Sequence, residues 1–297
     1  MSTSGQPSAS ALNVARCRAI AAHEARAAIK GHDTLAELFL DAAARQSLKD
    51  PVMHGMILKR LNDFSPGSYE FFIARTAYLD EAVEEALKAG IPQVVLLGAG
   101  YDTRVHRFRH LLGAARVFEL DEPVTQSHKR TLLEQAECPA PEHLTYVPIN
   151  FTSDSLANKL TDAGYRADQK AIFVWEGVTY YLPPQTVKAT LRTLRDMAPP
   201  GSLLCFDYMI PASQIEGRYG AQQARAGMQA LYNTAEPLLF DLDEAQVAGV
   251  LEAHGFELVE HLNAADMQKR YLSNPDGTPV SQILDLFRLV KARVADA

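Results

Sequence analysis

The pattern of apolar and polar positions divides the chain into two regimes. Residues Ala11 to Lys30 form an Ala-rich stretch with interspersed Arg and Glu, predicting a helix. Further helices are predicted over Thr34–Gln46, Pro51–Leu61 and Tyr69–Ala89. The last stops at Ala89-Gly90 with Pro92 just beyond, and Ser65-Pro66-Gly67 reads as a turn. From Gln93 onward short continuous apolar runs take over: Gln93–Leu97, Ala115–Leu120, Leu144–Ile149, Ala171–Trp175 and Ser202–Tyr208. Helical stretches at Arg104–Leu112, Glu122–Glu137, Ser155–Ala163 and Pro184–Ala198 separate them. Such runs alternating with helices predict a mostly parallel sheet covered on both faces. After Pro211 the alternation pauses. Ser213–Thr234 is polar and helical in tendency, predicting an insertion at 211–240 over the working edge of the sheet. An amphipathic helix at Leu242–His254 follows. Phe256–His261 and Ile283–Val290 read as two final strands, antiparallel across a loop that includes Tyr271–Pro279.

Composition narrows this picture. At 297 residues and 47% hydrophobic the chain can build one large α/β domain with a modest cap. A formal net charge of −7 without a long basic run argues against nucleic acid as a partner. Cys17, Cys138 and Cys205 are far apart and form no C-x-x-C pair, so no metal site or redox motif is expected. The sparse count suits a reducing compartment. With no signal-peptide pattern and no run of about 20 apolar residues, the expectation is a cytoplasmic protein without a membrane partner.

In an open parallel sheet, ligands bind beyond the carboxyl ends of the strands. The first strand runs into Gly98-Ala99-Gly100-Tyr101-Asp102-Thr103-Arg104. Glycine lets the backbone turn sharply and approach a ligand closely, and the helix start beyond offers free N–H groups. The second strand ends Phe118-Glu119-Leu120-Asp121, placing Asp121 about 20 residues beyond the turn, where a carboxylate accepts hydrogen bonds from a ribose diol. Asp121 is the first choice for that role and Glu119 the alternative. NAD and S-adenosylmethionine (SAM) both carry such a ribose. Thr103 stands where a pyrophosphate-binding turn has its third glycine, and two late strands close the pattern. Both features favour SAM.

The runs LLGAGYDTRVHRF, VFELDEP and WEGVTYYLP, with IARTAYLDEAV upstream, resemble the leucine carboxyl methyltransferase family in its tetracenomycin carboxyl methyltransferase-like bacterial branch. The resemblance covers residues 70 to 210. It implies a class I SAM-dependent methyltransferase (Rossmann-like) fold with a mixed seven-stranded sheet, so that 1–70 forms a helical cap and 71–297 the methyltransferase domain. It also implies that Arg75 pairs with the SAM carboxylate, that Gly98, Gly100 and Asp102 frame the methionine part, and that Glu176 lies beside the ammonium and sulfonium. A helix-surface ion pair of Arg75 with Asp80 or a neighbour is the competing reading. At the third strand end, Asn150-Phe151 departs from the Asp-Leu of many relatives. The Asn150 carbonyl can accept from the adenine amine, and Phe151 either stacks on adenine or fills core.

The acceptor reading rests on chemistry. A carboxylate arrives ionised at neutral pH and needs no base, whereas a hydroxyl benefits from one. No His–Asp pair is visible. His106, His110 and His128 fall on predicted helices and read as surface residues, while His254 and His261 come late in the chain. Tyr180 and Tyr181 are candidates to position the acceptor. Asp207 and Tyr208 end the fifth strand at the same edge. In the insertion, Arg218, Tyr219, Arg225, Met228 and Tyr232 mix aromatic and basic types, which suits a small acceptor bearing a carboxylate. Open alternatives are a polyketide-type hydroxyl acceptor, a protein C-terminus, a non-catalytic SAM-binding regulatory module, and an NAD oxidoreductase.

Overall fold

The computed structural model describes residues 5–29, 31–231 and 236–296. Helices α1 (Ala9–Ala22), α2 (Ala42–Lys49), α3 (Pro51–Phe64) and α4 (Ser68–Lys88) precede the first strand. There follow β1 (Gln93–Leu97), α5 (Arg104–Arg107), β2 (Arg116–Asp121), α6 (Pro123–Gln135), β3 (Leu144–Pro148), α7 (Leu156–Asp162) and β4 (Ala171–Trp175). The chain ends with α8 (Pro184–Asp196), β5 (Leu203–Met209), α9 (Ala221–Leu231), α10 (Val247–Glu252), β6 (Phe256–Leu262), α11 (Ala264–Tyr271) and β7 (Phe287–Val294). The seven strands form one sheet in the order β3-β2-β1-β4-β5-β7-β6. β1 to β5 run parallel, and β7 is antiparallel to both β5 and β6. This is the class I methyltransferase fold.

The alternation of side chains along a strand explains the layering. On β1, Val95 and Leu97 enter a core with Phe118, Phe173 and Trp175 that α7, α8 and α10 cover. Val94 and Leu96 face the opposite way, into a core with Ile172, Val174 and Cys205 that α4 and α11 cover. Both faces are dry, which is why β1 and β4 are apolar at nearly every position. α4 lies against the second face, and its middle, at Arg75, comes beneath the ends of β4 and β5. The strand order reverses between β1 and β4, so the loops after these strands part there and leave a crevice.

Several predicted boundaries differ. The first helix stops at Ala22 rather than Lys30, because Gly31 folds back and donates its N–H to Ala21 O at 2.9 Å. The predicted Thr34–Gln46 helix is a 3-10 turn over Thr34–Phe39 followed by α2. The segment after β1 is helical only over Arg104–Arg107. The last strand lies at Phe287–Val294, not Ile283–Val290. Among the described residues, no helix is long and apolar enough to cross a membrane.

Candidate active site

The turn after β1 is tied to the end of β2. Gly98 and Ala99 both donate to Leu120 O, at 2.8 and 2.9 Å. Gly98 sits at φ 69°, and a side chain there would collide with Val178. Gly100 donates its N–H to Asp121 Oδ2, and Glu122 N–H donates to Asp121 Oδ1 at 2.6 Å. Burial pushes the Asp121 carboxyl up to about 6 against the pull of these two donors. α1 closes over the turn, so that a Cβ on Gly100 would meet Ala11 Cβ at 3.1 Å.

Beside this turn lies a chain of buried charges. Arg75 is 1% exposed; its Nε donates to Glu176 Oε1 at 3.0 Å and its Nη1 to Asp207 Oδ2 at 2.7 Å. The same Nη1 lies 3.2 Å from Tyr180 Oη. Glu176 Oε2 accepts from Arg104 Nη1 at 2.7 Å. Arg104 also binds Asp102 and reaches Asp80 at 2.7 Å. Arg107 joins Asp80 at 2.6 Å and approaches Asp33 at 3.6 Å, and Asp33 pairs with Arg18 at 2.8 Å. Arg18 Nη2 donates to Tyr101 O at 2.6 Å, at the glycine turn. Arg18, Arg75, Arg104 and Arg107 thus face Asp33, Asp80, Asp102, Glu176 and Asp207, leaving one carboxylate in excess. Burial alone would raise the Glu176 carboxyl, but Arg104 and Arg75 override it and hold it at about 2. Gly177 makes room: its φ is 69°, and a Cβ there would meet Arg75 Nη1 at 3.2 Å. Its N–H donates to Asp207 Oδ1 at 2.6 Å.

The structure gathers Arg75, Asp102, Glu176 and Tyr180 into this cluster, with Gly98, Gly100 and Asp121 around the adjoining turn. Arg75 is buried and its ion pairs go to Glu176 and Asp207 rather than to Asp80 or a helix neighbour; Asp80 is taken by Arg104 and Arg107. Glu119 is 1% exposed and holds Lys129 Nζ at 2.6 Å through one oxygen. Its other oxygen, Oε1, has no hydrogen-bond partner among the described residues. The Asn150 carbonyl already accepts from Thr152 N–H at 2.9 Å and Thr152 Oγ1 at 2.6 Å, which fills both lone pairs in a local turn. Acceptance from an adenine amine would require that turn to open. Phe151 is buried in the core. Tyr181 is half-buried, its ring 4.9 Å from that of Tyr180.

Five further charged residues complete the site. Asp80, Arg104 and Arg107 lie within the motif runs without having been singled out as site residues, Arg104 and Arg107 on one short helix, and only Arg18 and Asp33 lie outside those runs. The N-terminal segment is latched across the site. Ser8 Oγ donates to Glu236 Oε1 at 2.6 Å, Ser10 N–H donates to Glu236 Oε2 at 3.2 Å, and Ser8 N–H donates to Thr125 Oγ1 at 3.0 Å.

Other candidates resolve differently from expectation. His106 and His128 are half-buried rather than surface residues; His110 is exposed. Burial holds His106 down at about 4, and His128 Nδ1 lies 2.6 Å from Tyr101 Oη. Burial pushes the Cys17 and Cys205 thiols up to about 12. In the insertion, Arg218 pairs with Asp285 at 2.9 Å and Arg225 with Glu216 at 3.6 Å. Both cations are engaged by neighbouring acids, which weakens them as holders of an acceptor carboxylate. Tyr232 lies outside the described residues.

A family model described as leucine carboxyl methyltransferase matches residues 11–195. A Bacillus subtilis (strain 168) protein, assigned by name to the SAM-dependent methyltransferases, is 30% identical over 202 residues, covering 68% of this chain and 66% of its own length. A Mycobacterium avium (strain 104) protein given the same assignment is 32% identical over 206 residues, covering 66% of this chain and 63% of its own. The chain spans about half to two thirds of the length of the curated relatives it matches. Among solved structures, a Thermobifida fusca protein described as a methyltransferase superposes with a TM-score of 0.60 at 18% identity, over 99% of this chain and 97% of that one. A DUF574 family protein from Streptomyces avermitilis gives 0.59 at 18% identity, over 94% and 96%.

Proposed function

We propose that this chain, which belongs to the leucine carboxyl methyltransferase family, is a SAM-dependent methyltransferase acting on an oxygen of a small molecule, with a carboxylate as first choice. The observation that carries the reading is the alternating cluster Arg75–Glu176–Arg104, set at the strand-order switch beside the Gly100–Asp121 contact. SAM presents a carboxylate, an ammonium and a sulfonium, one net positive charge, and the cluster has one carboxylate in excess. When bound, SAM supplies a methyl group activated by the sulfonium.

The residues present fit that group. Arg75 offers a planar guanidinium suited to a carboxylate, and Glu176, ionised throughout the neutral range, offers a counter-charge to the ammonium. Asp121 stands ready for a ribose diol. The unpartnered Glu119 Oε1 is a buried acceptor beside it that a ribose hydroxyl can satisfy. Methyl transfer to an ionised carboxylate asks the protein for position and charge complementarity rather than a base. Among the described residues no histidine joins the charge cluster, in keeping with that. Tyr180, held between Arg75 and Asp207, fixes the wall of the site nearest β5.

The test is calorimetric titration with SAM and with NAD, followed by incubation with methyl-labelled SAM and carboxylic acids. SAM binding and base-labile methyl esters support the reading. NAD binding without SAM binding overturns it.

A further inference from the structure

We propose that the groove between the end of β5, α9 and residues 238–241 takes the acceptor, and that Asp241 selects for an apolar acid carrying no second negative charge. This rests on the methyltransferase reading above.

The groove encloses about 520 Å³, within the range of small-molecule sites. Its wall is apolar: Met209, Met228, Leu238 and Phe240. Gln229 and Asp241 supply the polar side chains, and no Lys, Arg or His lines it among the described residues. The groove adjoins the charge cluster through backbone contacts. Leu239 and Phe240 donate to Tyr180 O at 2.7 and 3.3 Å, and Leu242 donates to Met209 O at 3.0 Å. Tyr180 touches Arg75, and Met209 lies two residues beyond Asp207 on β5. The groove wall is therefore fastened to the two elements that hold the partners of Arg75.

This lining discriminates by charge. The reacting carboxylate of an acceptor faces the sulfonium, so its charge is offset there. Its oxygen forms the new C–O bond while the S–CH3 bond breaks; the electron pair stays on sulfur and no proton moves. A second carboxylate on the same molecule would find no cation along the groove and would meet Asp241, and like charges set together are disfavoured. Asp241 stands exposed at the rim, where partial screening from water by the groove wall shifts its carboxyl upward. A methyl or ammonium tail suffers no such penalty.

The probes are octanoate, 8-aminooctanoate and octanedioate, offered separately with methyl-labelled SAM, with SAM affinity measured in parallel. The wild-type protein should esterify the first two and handle octanedioate about fivefold or more slowly in kcat/KM. Asp241→Lys, a change at an exposed rim, should bring octanedioate above 8-aminooctanoate while leaving SAM affinity within twofold. Phe240→Ala should raise KM for octanoate about fivefold, again at unchanged SAM affinity. An acid preference that Asp241→Lys does not move, or SAM binding with none of the three acids esterified, overturns the proposal. Failure of the wild-type protein to bind SAM instead sinks the cofactor reading on which it rests.

Discussion

Replacing Glu176 by Gln isolates the charge at the centre of the site. The amide keeps the shape of the side chain and removes the charge that Arg75 and Arg104 share. Those two guanidiniums hold the Glu176 carboxyl at about 2 against an ordinary 4.5. At 1.36 kcal/mol per pKa unit, this corresponds to about 3 kcal/mol of native-state stabilisation at neutral pH. Because the folded pKa is depressed, that contribution is complete above pH 4.5 and is lost as pH falls toward 2. Glu176→Gln should therefore lower the melting temperature at pH 7 by roughly 5 °C for a chain of this size. The difference from wild type should shrink as the pH falls below 4.5. Removing a charged hydrogen bond to the ammonium should also weaken SAM by about 2 kcal/mol, roughly thirtyfold in Kd. Thermal unfolding across pH and calorimetry with SAM read the two effects separately. A melting temperature within 1 °C of wild type together with a SAM Kd within twofold would rule out this role for Glu176.

Other substitutions probe the remaining parts. Asp121→Ala should weaken SAM by about 2 kcal/mol or more, measured by calorimetry; unchanged affinity removes Asp121 from the ribose site. The Asp121 carboxyl is raised to about 6, so its ionisation disfavours the ligand-free fold as pH rises through 6. SAM affinity should accordingly fall as pH drops below about 6 in wild type, and Asp121→Asn should flatten that dependence. Glu236→Gln weakens the latch to Ser8 and Ser10 and should speed SAM release several-fold in stopped-flow without shifting the melting temperature by more than about 2 °C. Lys129→Met leaves Glu119 buried without its cation and should cost about 3 kcal/mol or more in denaturant unfolding; restoring neutrality with Glu119→Gln in the same chain should recover part of it.

The central sheet was legible because its strands are buried on both faces. Gln93–Leu97 and Ala171–Trp175 carry unbroken apolar runs, and the structure places β1 and β4 at those same limits. β7 was misplaced for a physical reason. Ile283, Leu284 and Leu286 are buried apolar residues of a loop that packs into the core, while the true strand continues through Lys291 and Arg293. Those two long cations pair with Glu85 and Glu257, so a polar strand end hides its register. In the site, Arg75, Gly98, Gly100, Asp121 and Glu176 stood out because each sits in a short motif beside a strand end or on α4. Arg104, Arg107 and Asp80 lie in the same runs, but nothing local marked them as parts of one charge network with Asp33 and Arg18, which lie outside those runs. The members of that network touch only after α1 folds over the glycine turn and α4 beneath it, and no local spacing encodes such contacts. Asn150 shows the opposite limit: its residue type suited an adenine contact, but a neighbouring threonine two residues on claims its carbonyl.

The most direct test of SAM binding at this cluster is one titration, SAM into wild type and into Arg75→Met, with NAD as the control. Arg75 meets Glu176 and Asp207 in the ligand-free fold and is the residue assigned to the SAM carboxylate. With Arg75 on the SAM carboxylate, wild type should bind SAM saturably and NAD not at all, and an Arg75→Met protein that still unfolds cooperatively should lose at least thirtyfold in SAM affinity. Equal SAM affinity in the two folded proteins, or NAD binding in place of SAM, would contradict that assignment.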